Sequence, residues 1–428
     1  MKILSVKKQS VATALKEVRA KSNKKANVET LVKRILELVR KNKDKALFSL
    51  TRRFDGVNLS TLRVSKQEIA DAYRKEPTDV IVALKTARAA IEKFHNAVLT
   101  REPKVVTVAG VQVWREFRPI ERVGLYVPGG KAIYPSTVLM LGVPARIAGC
   151  KEVVLCVPPD KNGEVPSAVL VAADLCGITK IFKVGGAQAI AAMAYGTESI
   201  PKVSKIFGPG NQYVTTAKML VYGEVDIDMP AGPSEVLIFA DKTARPSWVA
   251  ADLLAQLEHS EDAQAILVTL SQSVAKQVQK EMLRQLQGLS RQEIICKALK
   301  NSFALVFPDL KKAMLFINEY APEHLEIVSK NESEISAKVT NAGSVFLGPY
   351  SSEPLGDYAT GSNHTLPTAG YAKMFSPLSA ESFGKKMQIQ KISKAGMGNL
   401  RTAVEILAKR EGLDAHRNAI SIRYRKTL

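Results

Sequence analysis

The chain has 428 residues, 46% of them apolar and 24% charged, the proportions of an ordinary globular protein with room for about three domains and a large core without disulfides. Its formal charge of +20 is confined to the ends, where residues 1–54 carry 16 Lys or Arg against 4 acids and residues 385–428 carry 11 against 3, leaving the interval neutral. No apolar run approaches the roughly 18 residues of a membrane span, the start MKILSVKKQSV lacks the apolar stretch and cleavage site of a signal peptide, and the four cysteines form no CxxC, so they read as reduced thiols of a cytoplasmic protein.

From the N-terminus, Val28, Leu31, Ile35, Leu38, Val39, Ala46 and Leu47 recur at helical spacing and predict one or two amphipathic helices over residues 28–53. A second helical region spans about Lys66 to Val98 and contains His95, read as a surface or packing residue. The basic residues of both ends lie at scattered helical spacing without interleaved aromatics, which reads as two solvated, mostly helical ends; the alternative is a basic arm for nucleic acid or another anionic surface.

From Val105 the texture alternates as strands do, through Val111, Val113, Val123, Leu125 and Val127. Short apolar runs then alternate with helical stretches: 153–157, 181–184, 205–207, 235–240, 265–270, 304–307 and 344–348. That succession implies βαβ units, and two parallel sheets with helices on both faces suit the length better than one. After about Leu378 the pattern becomes helical again, with a turn at Gly412.

Of the five histidines, the four other than His95 sit in polar or turn-rich surroundings and carry the chemical signal. In AQLEHSEDAQ, Gln256 and His259 are three apart on a predicted helix and share a face suited to a metal; the plain alternative is a satisfied histidine at a helix end. In YAPEHLEIV, Pro322 breaks the preceding helix before Glu323 and His324, a carboxylate and an imidazole able to serve as two proton acceptors, or else a capping carboxylate beside a core histidine. The Gly-, Pro- and Ser-rich stretch 348–368 keeps apolar anchors and offers Asp357 and His364. Near the C-terminus Glu411 and His416 flank a glycine turn, where a surface histidine is the plain alternative. Gln256, His259, Asp357 and His416 together would form an N/O-only shell of the catalytic zinc type, although spacing alone does not make the four converge. Three glycine turns, in LYVPGGKAIYPS, KVGGAQAIAA and FGPGNQYV, each follow a predicted strand and open a helix; none completes G-x-G-x-x-G, so a dinucleotide site is only suggested.

In order along the chain, VGLYVPGG, VGGAQAIAAMAYGTES, GPGNQYV, AGPSEVLIFAD, LLAQLEHSEDAQ, APEHLE, LGDYATGSNHTLPT and EGLDAH resemble the histidinol dehydrogenase family. The resemblance implies an α/β fold of two incomplete Rossmann-like parallel-sheet domains with two smaller, mainly helical terminal parts. It places an N-terminal arm at 1–22, a first domain at 23–125 and 235–378, a second, NAD-binding domain at 126–234, and a C-terminal part at 379–428. It implies NAD- and zinc-dependent oxidation of L-histidinol to L-histidine through L-histidinaldehyde, the last steps of histidine biosynthesis. Glu323 and His324 resemble the catalytic proton acceptors. Gln256, His259, Asp357 and His416 resemble the ligands of one zinc per subunit, Tyr126, Gln188 and Asn211 the NAD contacts. Ser234, His324 and Glu411, with the four zinc-site residues, resemble the substrate contacts. A homodimer whose C-terminal parts supply Glu411 and His416 to the partner's site is implied, with no role for nucleic acid or membrane. A metal-dependent hydrolase using the same shell is the competing enzyme class, and an anion-binding protein using the basic ends the competing non-enzyme.

Overall fold

The computed structural model describes residues 1–6, 10–22, 28–129, 132–230 and 232–424, with residues 21 and 22 by backbone alone. Gly130 and Lys131 of the first glycine turn lie outside the described residues, as does Ala231. The described strands are β1 (Lys2–Ser5), β2 (Val105–Val108), β3 (Val111–Pro119), β4 (Arg122–Tyr126), β5 (Glu152–Val157), β6 (Lys180–Lys183), β7 (Lys205–Phe207), β8 (Asp226–Ile227), β9 (Glu235–Ala240), β10 (Gln264–Thr269), β11 (Phe303–Val306), β12 (His324–Val328), β13 (Ser344–Leu347) and β14 (Gly384–Ile392).

They fall into two compact units, residues 1–97 with 120–383 and residues 98–119 with 384–428. The first unit holds two parallel sheets, ordered β1-β11-β10-β9-β12-β13 and β6-β5-β4-β7-β8. The α/β class expected from the alternating runs is therefore present. Strands β9 and β10 are buried at every residue, as sheets covered on both faces require. The strand period of two divides their side chains cleanly. Val236, Ile238, Ala265 and Leu267 join the core under the helix Pro246–Leu257, while Leu237, Phe239, Ile266 and Val268 join the core under the helix Leu310–Tyr320. On β12, Leu325 and Ile327 take the second face, so His324 and Glu326 belong to the first.

In the second sheet, β4 is followed by β5 and β6 on one side and by β7 on the other, which creates a switch point between β4 and β7. The helix Glu29–Phe54, interrupted at Lys43, packs over this sheet with Gly186–Tyr195 and Gln212–Val221. The other expected helical region is two helices, Lys66–Lys75 and Thr78–Val98. His95 within it is fully buried rather than on the surface.

The second unit is the antiparallel sheet β14-β3-β2 with the helices Lys394–Arg410 and Asp414–Ser421. The ends are thus not helical throughout. Residues 2–5 add β1 to the edge beside β11, and residues 384–392 pair with β3 along all nine positions. In KKMQIQKI, Met387 and Ile389 alternate with polar residues, a period of two that ladder hydrogen bonds reinforce. All four cysteines are free, and among the described residues no helix is long and apolar enough to cross a membrane.

Candidate active site

Two regions of the first unit concentrate functional chemistry. The first is the carboxyl edge of the second sheet. Tyr126 ends β4, and its hydroxyl accepts a hydrogen bond from Gly186 N–H at 3.1 Å. Gly186 has φ of +65°, and a Cβ there would meet the Gln188 amide oxygen at 2.9 Å, so the KVGG turn requires glycine. Asn211 caps the helix Gln212–Val221, its Oδ1 accepting from Tyr213 and Val214 N–H at 3.0 and 3.2 Å. Gly208, at φ +125°, lets the FGPGN turn pass against the Tyr126 carbonyl. The buried pair Lys218 and Asp228 pins this turn from both ends: Gly208 N–H donates to Asp228 at 2.7 Å, and the Lys218 ammonium donates to Gly208 C=O at 3.0 Å. Two of the three expected cofactor contacts therefore open helices after parallel strands, where backbone N–H groups suit phosphates. A cavity of about 730 Å³, lined by Phe54, Asp55, Tyr134 and Pro158 among others, lies beyond β4 and β5; Tyr126, Gln188 and Asn211 are not in its lining.

The second region is the amino edge of the first sheet. The helix Leu310–Tyr320 ends at Ala321 in the left-handed conformation, Pro322 follows, and His324 is the first residue of β12. Glu323 and His324 are both buried. The main chain of Glu235, at the start of β9, holds both. Its N–H donates to Glu323 Oε2 at 2.8 Å, and its C=O lies 3.0 Å from His324 Nδ1. A carbonyl only accepts, so Nδ1 carries a proton and Nε2 is the nitrogen left for chemistry. That Nε2 is buried without a hydrogen-bond partner. Asp357 Oδ1 stands 3.7 Å from it, an ion-pair distance rather than a hydrogen bond.

Around His324 the carboxylates crowd. Glu323 Oε2 and Glu353 Oε1 are 3.8 and 3.9 Å from its Nδ1. Burial opposes the imidazolium, but Glu353, Glu323 and Asp357 outweigh it and hold the His324 pKa well above the ordinary value. Burial, offset in part by His324 and the Glu235 N–H, pushes the Glu323 carboxyl up to about 7. Burial and then the neighbouring Glu323 carry Glu235 to about 8. So many acids in one dry space is an environment that a further cation would relieve.

Gln256 lies near the end of the helix Pro246–Leu257 and is fully buried; His259 falls just beyond that helix, not on it, and is half-buried. Burial lowers the His259 pKa and favours the neutral, ligating form, with Asp357 opposing. His259 Nε2 is 3.9 Å from Asp357 Oδ2, and ligand atoms of His259, Glu353 and Asp357 all lie within 4.8 Å of one another. Glu353 and Asp357 share one face of the short helix Glu353–Tyr358, four residues apart. These are N and O donors suited to zinc.

Thus Glu323, His324, Gln256, His259 and Asp357 are brought together. Ser234 immediately precedes β9 and is half-buried. Glu411 and His416 lie in the second unit and are exposed. His364 takes a supporting position: its Nδ1 donates to the Asp357 carbonyl at 2.9 Å and its Nε2 lies 3.1 Å from the Thr137 hydroxyl, while burial keeps it neutral. It and Asn363, whose amide donates to Met140 C=O at 2.7 Å, tie the 348–368 stretch to the helix Pro135–Ala148. Sequence reasoning missed Glu353 and the Glu235 main chain. The i, i+4 spacing of Glu353 and Asp357 was the available signal for the first; the second is main-chain geometry and leaves none.

A family model described as histidinol dehydrogenase matches residues 18–424. A histidinol dehydrogenase of Bacteroides fragilis is 52% identical over 398 residues, 93% of each chain, and one of Clostridium acetobutylicum is 48% identical over 413 residues, 96% of this chain and 95% of that one. The crystal structure of histidinol dehydrogenase from Elizabethkingia anophelis superposes with a TM-score of 0.94 at 45% identity, covering 99% of this chain and 98% of the other. With its ordered motifs, two parallel sheets and buried Glu–His pair, the chain belongs to the histidinol dehydrogenase family.

Proposed function

We propose that the chain oxidises L-histidinol to L-histidine through L-histidinaldehyde, reducing two NAD, with one zinc per subunit and in the cytoplasm. Membership of an oxidoreductase family displaces the hydrolase alternative. The observation that carries the reading is His324, whose Nδ1 is tied to Glu235 C=O while its buried Nε2 has no partner and faces the cluster that holds Asp357.

An alcohol must lose its hydroxyl proton as its carbon gives up hydride. His324 Nε2 is placed to take that proton once a bound cation offsets the carboxylates that favour the imidazolium. The aldehyde must then add water before a second hydride can leave, and Glu323, held by the Glu235 N–H, is placed to take a proton from that water. When bound, NAD would accept the hydride and zinc would hold the substrate in front of the Glu323–His324 pair. Gln256, His259 and Asp357 would hold the metal, and the crowding of buried carboxylates around them suits a cation. Tyr126, Gln188 and Asn211 would meet NAD, and Ser234 the substrate. Glu411 and His416 of the partner subunit would complete the site in a homodimer.

The test is NADH formation with histidinol and NAD, with and without chelator. Two NADH per histidinol and loss of turnover on metal removal are expected; zinc-loaded protein that forms no NADH with histidinol overturns the reading. For the shared site, mixing His324→Ala and His416→Ala chains should restore activity in mixed dimers. No recovery despite measured subunit exchange means that each site is built from one chain.

A further inference from the structure

Glu353 is a buried carboxylate to which the reaction gives no proton to move. It is 1% exposed, and its own backbone N–H donates to the equally buried Glu326 at 2.7 Å, which fixes the start of the helix that carries Asp357. Its side chain meets the fully buried Gln256. The two ends of an amide are told apart by their partners; burial pushes the Glu353 carboxyl up to about 8, while His324 beside it favours the carboxylate, and as a carboxylate Glu353 can only accept. With its nitrogen toward Glu353, Gln256 donates to Oε1 at 2.8 Å and to Oε2 at 3.2 Å; the reverse orientation would set the amide oxygen against two carboxylate oxygens. The Gln256 oxygen is therefore turned away from Glu353. Only that oxygen can serve a metal, because an amide nitrogen has no lone pair to give.

We propose that Glu353 is a positioning residue that sets the orientation of the Gln256 amide, so that oxygen rather than nitrogen is offered to the zinc. The proposal rests on the zinc reading above and adds to it the reason why a weak neutral ligand works there. Without Glu353 the amide can turn over about its last bond and present two N–H groups to a cation, which repels it. Outer partners of metal ligands ordinarily matter in this way, with losses of about 10- to 100-fold in affinity when they are removed. The competing role, direct ligation by Glu353, follows from the same 4.8 Å cluster and makes a different prediction.

The experiment measures zinc affinity by competition with a chromophoric chelator on the full-length protein, for wild type, Glu353→Leu, Gln256→Leu and the double variant. A positioning role predicts that each single substitution weakens zinc by about 10- to 100-fold and that the double variant is no weaker than Gln256→Leu within about threefold, because the two residues act as one unit. Additive losses, or Glu353→Leu with unchanged affinity, overturn the proposal. Glu353→Gln guards against a folding failure. Its side-chain oxygen still accepts from Gln256, so it should hold zinc at least about threefold more tightly than Glu353→Leu. If Glu353→Gln binds as weakly as Asp357→Asn, Glu353 is a ligand. Wild-type protein that takes up no zinc would sink the zinc reading itself, whereas zinc bound by wild type and unaltered in Glu353→Leu sinks only this role.

Discussion

Replacing Glu323 by Gln should separate the two oxidations. The substitution is nearly isosteric, and the Gln oxygen can keep the hydrogen bond from Glu235 N–H that Glu323 Oε2 accepts at 2.8 Å. His324 keeps its own tether to Glu235 C=O, so the first proton acceptor keeps its aim and loses only one of the carboxylates around it. What disappears is basicity. Glu323 carries a pKa near 7, pushed there by burial, which is close to ideal for a base at neutral pH. Losing a positioned base costs about 10²- to 10⁴-fold, or roughly 3–5 kcal/mol of barrier at 1.36 kcal/mol per decade. That loss should fall on the hydration-dependent second oxidation, while the first, which needs no water, slows by less than about tenfold. In a single-turnover experiment with excess NAD, the variant should give a first NADH phase of one equivalent, then a much slower second. An aldehyde trap such as semicarbazide should capture the intermediate. Two equivalents appearing together at the wild-type rate would refute this division of labour, as would equal slowing of both phases.

Further outcomes follow from other parts of the first unit. His95 is fully buried with neither ring nitrogen hydrogen-bonded, and burial lowers its pKa to about 4. Because the folded pKa lies below the unfolded value of about 6.5, the unfolded chain takes up the proton first, so stability present above pH 6.5 is lost as pH falls toward 4, by up to about 3 kcal/mol. Urea melts at pH 7 and pH 4.5 should show a smaller acid loss for His95→Leu than for wild type; equal losses would exclude His95 as the source. Gly208→Ala places a Cβ against the Tyr126 carbonyl at φ +125°, and should raise the KM for NAD by at least about tenfold while bound zinc is unchanged. Lys218→Met leaves the buried Asp228 carboxylate without its cation, which should cost about 3–5 kcal/mol in denaturant unfolding.

The elements easiest to read were those whose local pattern and tertiary setting agree. The runs at 235–240 and 265–270 are apolar throughout because both faces of their sheet are covered, and they form β9 and β10 as expected. The glycine turns follow strands and open helices because their backbones adopt conformations or close approaches that a Cβ would obstruct. Legibility failed where distant contacts decide. β14 exists because nine residues find β3, more than 260 positions earlier in the chain, and its lysines alone suggested a solvated helix. His259 was assigned to a helix that stops at Leu257. Glu353 sits in a stretch that reads as loop, and its value comes from Gln256, on the helix Pro246–Leu257 that packs against the helix Glu353–Tyr358.

The two parallel sheets use opposite edges, and a physical reason can be given for each. At the carboxyl edge of β6 and β7 the chain turns into the helices Gly186–Tyr195 and Gln212–Val221, whose first N–H groups point outward and suit an anion. The switch point between β4 and β7 opens the cleft there. At the amino edge of β9 and β12 the first N–H of a strand precedes the ladder and is free to hold a side chain. Glu235 N–H takes the Glu323 carboxylate in this way, and Glu235 C=O fixes the tautomer of His324. A strand start is also stiffer than a loop, so a proton acceptor placed there keeps its aim. The helix Pro246–Leu257 covers the face of β12 on which His324 lies, which explains how Gln256 reaches the same cluster. The Glu323–His324 pair is therefore built from sheet geometry, with Gln256, His259, Asp357 and Glu353 added from the helices and loops around it.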